Sequence, residues 1–175
     1  NEVVGETKIT LSGYENGNAV LKATCWGRHM AHMMKLATKA QVGIHFAHFE
    51  GVLIPPGPVT YGNIVENYPH IRKYSEPGWK LATFQGKGKV LTVIFEAIIN
   101  MDNQMGVNFD GLTWNTHRLP PWLEWMPLPA WMKQRSIADS LRINGKKISK
   151  DKVYTVAMPA EIGYVAKELM EPAVK

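Results

Sequence analysis

Between Leu141 and Met158 the chain reads LRINGKKISKDKVYTVAM, and the Asn144-Gly145 pair in it is a hairpin-turn signal. A two-residue hairpin turn needs positive φ at both central positions, which Asn and Gly tolerate and most residues do not. Alternating apolar positions precede the pair, and a β-rich run, Val153-Tyr154-Thr155-Val156, follows it. The spacing therefore predicts a strand on each side of a tight turn.

Other segments carry similar signals. Lys8 to Leu11 reads as a short strand, and the Asn- and Gly-containing stretch from Gly13 to Asn18 as a turn into a second strand, Ala19 to Ala23. Trp26 to Ala40 lacks proline and spaces Met30, Met33, Met34 and Ala37 three to four residues apart, which predicts an amphipathic helix with a methionine-rich core face. Val42 to Phe46 reads as a buried strand. Ile54 to Gly62 holds three prolines, which predicts a loop without regular pairing, and a helix is expected from Tyr61 to Asn67. Lys80 to Phe84 reads as a strand, Gly86 to Lys89 as a turn and Val90 to Met101 as an apolar helix. Further strands are expected at Gly111 to Asn115 and Ile137 to Ile143. The sum is an α+β chain of mixed β-sheets with packed helices.

A length of 175 residues fits one domain with a core of its own, spanning 1–175. The single cysteine, Cys25, excludes an intrachain disulfide and a Cys-based structural zinc site. Net charge is +5, from 20 basic and 15 acidic residues, a mild bias that reads as a solvated basic surface and is compatible with a small anionic ligand. A nucleic-acid partner is not expected, because Lys87, Lys89, Lys146, Lys147, Lys150 and Lys152 sit around turns without interleaved aromatics. No apolar run approaches about eighteen residues, so no transmembrane segment is expected. The chain opens Asn1-Glu2, without an initiator Met or signal-peptide pattern, as a mature or excised segment would.

One stretch breaks the pattern. Residues 118–135, RLPPWLEWMPLPAWMKQR, contain four prolines and three tryptophans. Proline excludes a long helix or an inner strand there, while Trp122, Trp125 and Trp131 carry much apolar area. The segment is read as an insertion that folds back over its own domain, with docking to a partner chain, another domain or a membrane interface as the alternative.

Several motifs, in order, resemble the C-terminal domain of the 5′-nucleotidase family. They are Gly5-Glu6-Thr7-Lys8-Ile9-Thr10-Leu11, Trp26-Gly27-Arg28 ahead of the Met30 to Leu36 helix, and Pro56-Gly57-Pro58-Val59-Thr60-Tyr61-Gly62 with Tyr68-Pro69 beyond it. Phe109-Asp110-Gly111-Leu112-Thr113-Trp114 and the Asn144-Gly145 segment complete the series. The resemblance implies the substrate-recognition half of a bimetallic phosphoesterase or of a related thiosulfate-processing hydrolase. It also implies a periplasmic or extracellular location, and a metallophosphoesterase domain as partner.

The chain departs from that pattern where the family holds its ligand. Phe46 to Gly51 reads FAHFEG in place of an Asn-Gly-Gly-Ile-Arg loop, Lys22 and Ala23 replace an Arg and a Glu, and a stacking Phe falls near Gly106. Met158 to Tyr164 replaces a Gly-Gly-Asp-Gly loop. Two-metal phosphoesterases gather His, Asp and Asn ligands around cations about 3.5 to 4 Å apart. The chain has no Asp-x-His start, no Gly-Asn-His-Glu segment and no Gly-His pair. The expectation is a divergent recognition or docking domain, non-catalytic alone, of an exported hydrolase or a stand-alone descendant of one, with no catalytic residue and no cofactor of its own. Divalent metals would belong to a separate catalytic domain. The alternative is the substrate-binding half of an active metal-dependent hydrolase, with contacts from Arg28, His48, Phe49, Phe109 or Tyr164.

Two smaller constellations have ordinary readings. His29 and His32 stand i, i+3 on the expected helix, and His45 and His48 repeat the spacing on a strand, where alternation separates them. They are read as polar or partly buried histidines, with no metal. Cys25 precedes the helix and lies four residues from His29, yet no orienting Asn or Asp is placed by sequence, so a buried inert thiol is expected.

Overall fold

In the computed structural model, the described residues are 2–11, 14–15, 18–19, 24–47, 53–67, 80–100, 106–115, 138–160 and 162–163. Along the chain, β1 (Val3–Thr7), β2 (Tyr14–Glu15) and β3 (Asn18–Ala19) lead to α1 (Cys25–Thr38) and β4 (Val42–Phe46). Next come β5 (Gly57–Thr60), α2 (Tyr61–Asn67), β6 (Leu81–Lys87), α3 (Gly88–Asn100), β7 (Val107–Asp110) and β8 (Leu112–Thr113). A 3-10 turn at Ala138–Ser140, β9 (Arg142–Ile143), β10 (Lys146–Lys147) and β11 (Val153–Pro159) follow. This is an α+β fold with mixed sheets and packed helices.

The centre is a four-stranded sheet in the order β6-β11-β4-β7. β11 runs parallel to β4, while β6 and β7 pair antiparallel with β11 and β4. All five residues of β4 are buried, which requires cover on both faces. One face sends Val42, Ile44 and Phe46 of β4 and Tyr154, Val156 and Met158 of β11 against Leu91 and Phe95 of α3. The other face meets α1, where Ala157 packs with Met34 and Ala40.

Contact between α1 and β4 is close because Gly43 has no side chain. A Cβ there would stand 2.0 Å from the Ala31 carbonyl oxygen. Thr24 caps α1, its side chain accepting from Gly27 N at 2.8 Å. Lys39 closes the helix in the left-handed region, with φ 55. Trp26, Ala31 and Met34 supply the buried face and Met30 is half-buried, whereas Met33 and Ala37 point to solvent, so the core face is narrower than the methionine spacing suggests.

Several expectations need correction. The first strand is Val3–Thr7 and not Lys8 to Leu11; Leu11 makes only an isolated bridge to Ile54. The proline stretch does pair, β5 lying antiparallel to β1 with Pro58 opposite Glu6. A two-stranded sheet leaves each strand one free edge, where a missing N–H costs nothing. Residues 86–87 continue β6 and α3 starts at Gly88, so the expected turn is a direct strand-to-helix junction. Residues 138–140 form a 3-10 turn in place of a strand.

The Asn144-Gly145 turn forms as expected, with φ 48 and 76. Its returning arm is the short Lys146–Lys147, however, and the β-rich run beyond crosses to the central sheet as β11. Tyr154 stays tied to this connection, its hydroxyl accepting from Ser149 N at 2.9 Å.

Two glycine substitutions separate packing from backbone strain. Gly43→Ala should cost on the order of 3 kcal/mol, because its Cβ meets helix backbone that cannot step aside. Gly145→Ala meets no atom within 4 Å and should cost about 1 kcal/mol for its positive φ alone. Urea denaturation of both variants checks the ranking.

Candidate functional site

Parallel pairing of β4 with β11 brings their carboxyl ends to one edge of the central sheet. α1 precedes β4 through a short turn and runs back across it, so its N-terminus lies at that same edge. β7 begins there too, since Phe46 stands opposite Val107 and Ala47 N donates to Gly106 O at 2.9 Å. In open α/β sheets, the space beyond the carboxyl ends of parallel strands is the usual place for a ligand.

Asn108 fixes the geometry. Fully buried, its side-chain oxygen accepts from Thr24 N at 2.8 Å and its amide donates to Gly106 O at 3.0 Å. A Cβ on Gly27 would stand 2.2 Å from the Asn108 amide nitrogen, so the first turn of α1 rests directly on that side chain. Trp26, also buried, donates its indole N–H to Asn67 at the end of α2, and His29 stacks on the Trp26 ring with centroids 5.6 Å apart.

Arg28 projects into solvent from this first turn, and α1 has no acidic residue in that turn. Cys25 is exposed, correcting the expected buried thiol: as the first helical residue it lies off the packed face. His48 and Phe49 follow β4, and Tyr164 follows β11; all three lie outside the described residues, as do Trp122, Trp125 and Trp131. The described chain nonetheless reaches the common edge at Ala47 and again after Pro159. Phe109 is placed apart, half-buried on the α3 side of the sheet, with its ring edge-on to Phe95 at 6.2 Å and to Trp114 at 5.4 Å. The sheet thus separates Phe109 from Arg28.

Alternation along β7 turns Asn108 and Asp110 toward α1, opposite to Phe109. Asp110 takes Lys35 Nζ at 2.6 Å and His32 Nδ1 at 3.0 Å. Burial alone would raise its pKa, but the hydrogen bonds and charges of Lys35 and His32 outweigh this and bring it below the ordinary carboxylate value. Among the described residues, no three His, Cys, Asp or Glu side chains gather as metal ligands. Sequence reading missed Asn108 and Asp110 because the strand was expected to start at Gly111. The polar-apolar alternation of Val-Asn-Phe-Asp was the available signal.

His45 is buried on the α1 side of β4, and burial lowers its pKa from 6.5 to about 4. Between these values the unfolded imidazole binds a proton that the folded one refuses, so acid favours unfolding. Stability should fall by about 3 kcal/mol from pH 6.5 to pH 4 on this account, then level off for this group. The Asp110 contribution is present above the unfolded carboxylate pKa and is lost below it, as pH falls through the lowered folded value. Denaturant titrations of the protein, His45→Gln and Asp110→Asn across pH 3 to 7.5 check both windows. His45→Gln should flatten the upper one only.

No protein-family model matches the chain, and no curated protein matches it. Solved structures do. The 5′-nucleotidase precursor of Thermus thermophilus superposes with a TM-score of 0.63 at 19% identity, over 93% of this chain and 30% of its own length. The sulfate thiohydrolase SoxB of the same organism gives 0.60 at 15% identity, over 91% and 27%. The NAD nucleotidase of Haemophilus influenzae gives 0.62 at 18%, over 97% and 31%. The chain therefore spans less than a third of each of these proteins, and at such identities the likeness is one of fold.

Proposed function

We propose that this chain is a recognition or docking module of the 5′-nucleotidase C-terminal type, non-catalytic by itself, operating beside a metallophosphoesterase domain in the periplasm or outside the cell. The observation carrying this reading is the fold likeness over nearly the whole chain to less than a third of much larger nucleotidases and a thiohydrolase. A domain of this size acting as one part of a two-part hydrolase accounts for that proportion.

The ligand in this reading is a small anion, a nucleotide or thiosulfate, received at the edge where α1 begins. Arg28 supplies a guanidinium that can bind phosphate or sulfonate oxygens in pairs. Backbone amides at the start of α1 add partial positive charge on the same side. His48, Phe49 and Tyr164 are the further contacts this reading assigns, whereas Phe109, packed on the α3 side of the sheet, stands away from that edge. Trp122, Trp125 and Trp131 are the residues through which this reading has the module dock to its partner.

A thermal-shift series with AMP, UMP, adenosine and thiosulfate tests the reading, since a ligand of the native state raises its stability. At millimolar concentration at least one anion should raise Tm, and Arg28→Ala should abolish the rise without lowering the ligand-free Tm. No rise with any of the four would overturn the recognition role. Release of phosphate from AMP by the chain alone, with added divalent metal, would overturn the non-catalytic part.

A further inference from the structure

Lys87 and Lys89 flank the junction of β6 with α3, and Lys150 and Lys152 stand in the loop before β11, far away along the chain. Backbone hydrogen bonds join the two segments: Gly88 N donates to Lys152 O at 2.8 Å and Lys89 N to Lys150 O at 2.9 Å. The approach is close because Gly88 has no side chain; a Cβ there would stand 2.1 Å from the Ser149 carbonyl oxygen. Ser149 N in turn donates to the hydroxyl of the buried Tyr154, so the loop is held from both sides. Lys146 and Lys147 of the hairpin adjoin it. The fold thus collects six exposed lysines at one end of the central sheet.

Little at this end neutralises them. Lys147 pairs with Asp139 at 3.3 Å, and Lys152 lies over the Tyr154 ring at 5.4 Å. Lys87, Lys89, Lys146 and Lys150 make no ion pair among the described residues. Asp151 is the acid within the loop. The N-terminus of α3 adds partial charge of the same positive sign. Holding like charges together opposes folding, so a merely solvated surface gains nothing from this arrangement.

We infer that this end of the sheet docks on a bilayer carrying anionic phospholipid headgroups. Residue types carry the choice of partner. Protein interfaces favour Arg and aromatic rings and are poor in Lys, and single-stranded nucleic acid is held on exposed aromatic rings. Here the exposed cations are lysines, while the neighbouring Arg142 turns its guanidinium onto the carbonyls of Asp139 and Leu141. What stands among the lysines is aliphatic: Val153, 49% exposed, lies opposite Lys87 in the ladder, and Val90, 39% exposed, follows Lys89. Flexible point charges with short apolar side chains between them suit a fluid layer of headgroups, whose phosphates hold no fixed positions. The contact is peripheral. It lies at the opposite end of β11 from the edge at Arg28, so this inference does not depend on the recognition reading.

Co-sedimentation with vesicles is the test. The chain should bind phosphatidylcholine–phosphatidylglycerol vesicles, mixed roughly 7:3, at roughly 0.05 M salt and leave them at roughly 0.5 M, where screening shortens the reach of the lysine charges. Vesicles of phosphatidylcholine alone should not bind it. Each lysine at such a surface strengthens binding about fivefold, so Lys87→Gln, Lys89→Gln, Lys146→Gln and Lys150→Gln combined should weaken it on the order of 100-fold or more. The same four changed to Arg should keep it, and neither variant should lose circular-dichroism signal or Tm, since all four side chains are exposed. No sedimentation with either vesicle, equal sedimentation with both, or a Gln variant that binds as the parent does would each overturn the proposal. Tighter association with poly-glutamate than with the anionic vesicles would also overturn it, assigning the patch to an acidic protein.

Discussion

The arrangement of the candidate site depends on the parallel pairing of β4 with β11, in which Val156 stands opposite Val42 and Ala157 opposite Gly43. Parallel neighbours cannot be joined by a tight turn, and here 106 residues of chain lie between Phe46 and Val153. What the pairing brings is a common edge for two carboxyl ends. α1, folded back over β4, adds its N-terminus, and β7 adds Gly106 and Asn108. Contact across this face is close because Gly27 and Gly43 carry no side chains where Asn108 and the backbone at Ala31 stand. Buried hydrogen bonds from Asn108 then tie β7 to the helix start, so the orientation of Arg28 follows from packing well beneath the surface.

Local structure was readable from sequence wherever the governing forces are local. Val42 to Phe46 and Tyr61 to Asn67 have the expected limits, α1 differs by one or two residues at its ends, and Asn144-Gly145 adopts the two positive φ values its turn requires. The failures share a cause in partners distant along the chain. Pro58 excludes an inner strand, but whether β5 has a free edge depends on Val3–Thr7, more than fifty residues earlier. Val153 to Val156 follows a hairpin turn, yet its ladder is with β6 and β4. β7 is short and half polar, and Asn108 and Asp110 look like loop residues until α1 is set over them.

The candidate site was legible to a lesser degree. Arg28 stands exposed at the common edge, whereas Phe109 packs on the α3 side of the sheet. Strand alternation fixes such a division only once the strand's start is known. Asn108 carries only the alternation of Val-Asn-Phe-Asp as a local signal, a run too short to separate a buried amide that holds a helix from an ordinary loop asparagine.

Buried contacts at Asn108, Gly27 and Gly43 fix the edge, and Arg28 stands exposed on it. The most direct test of the account is a 15N-resolved NMR titration with AMP and with thiosulfate, taken to roughly 1 mM, a weak-binding concentration. The account predicts amide shifts at Arg28, at the first turn of α1 and at Gly106, where α1, β4 and β7 converge. Shifts confined to Lys146–Lys152, at the opposite end of β11, or none at all, would contradict it.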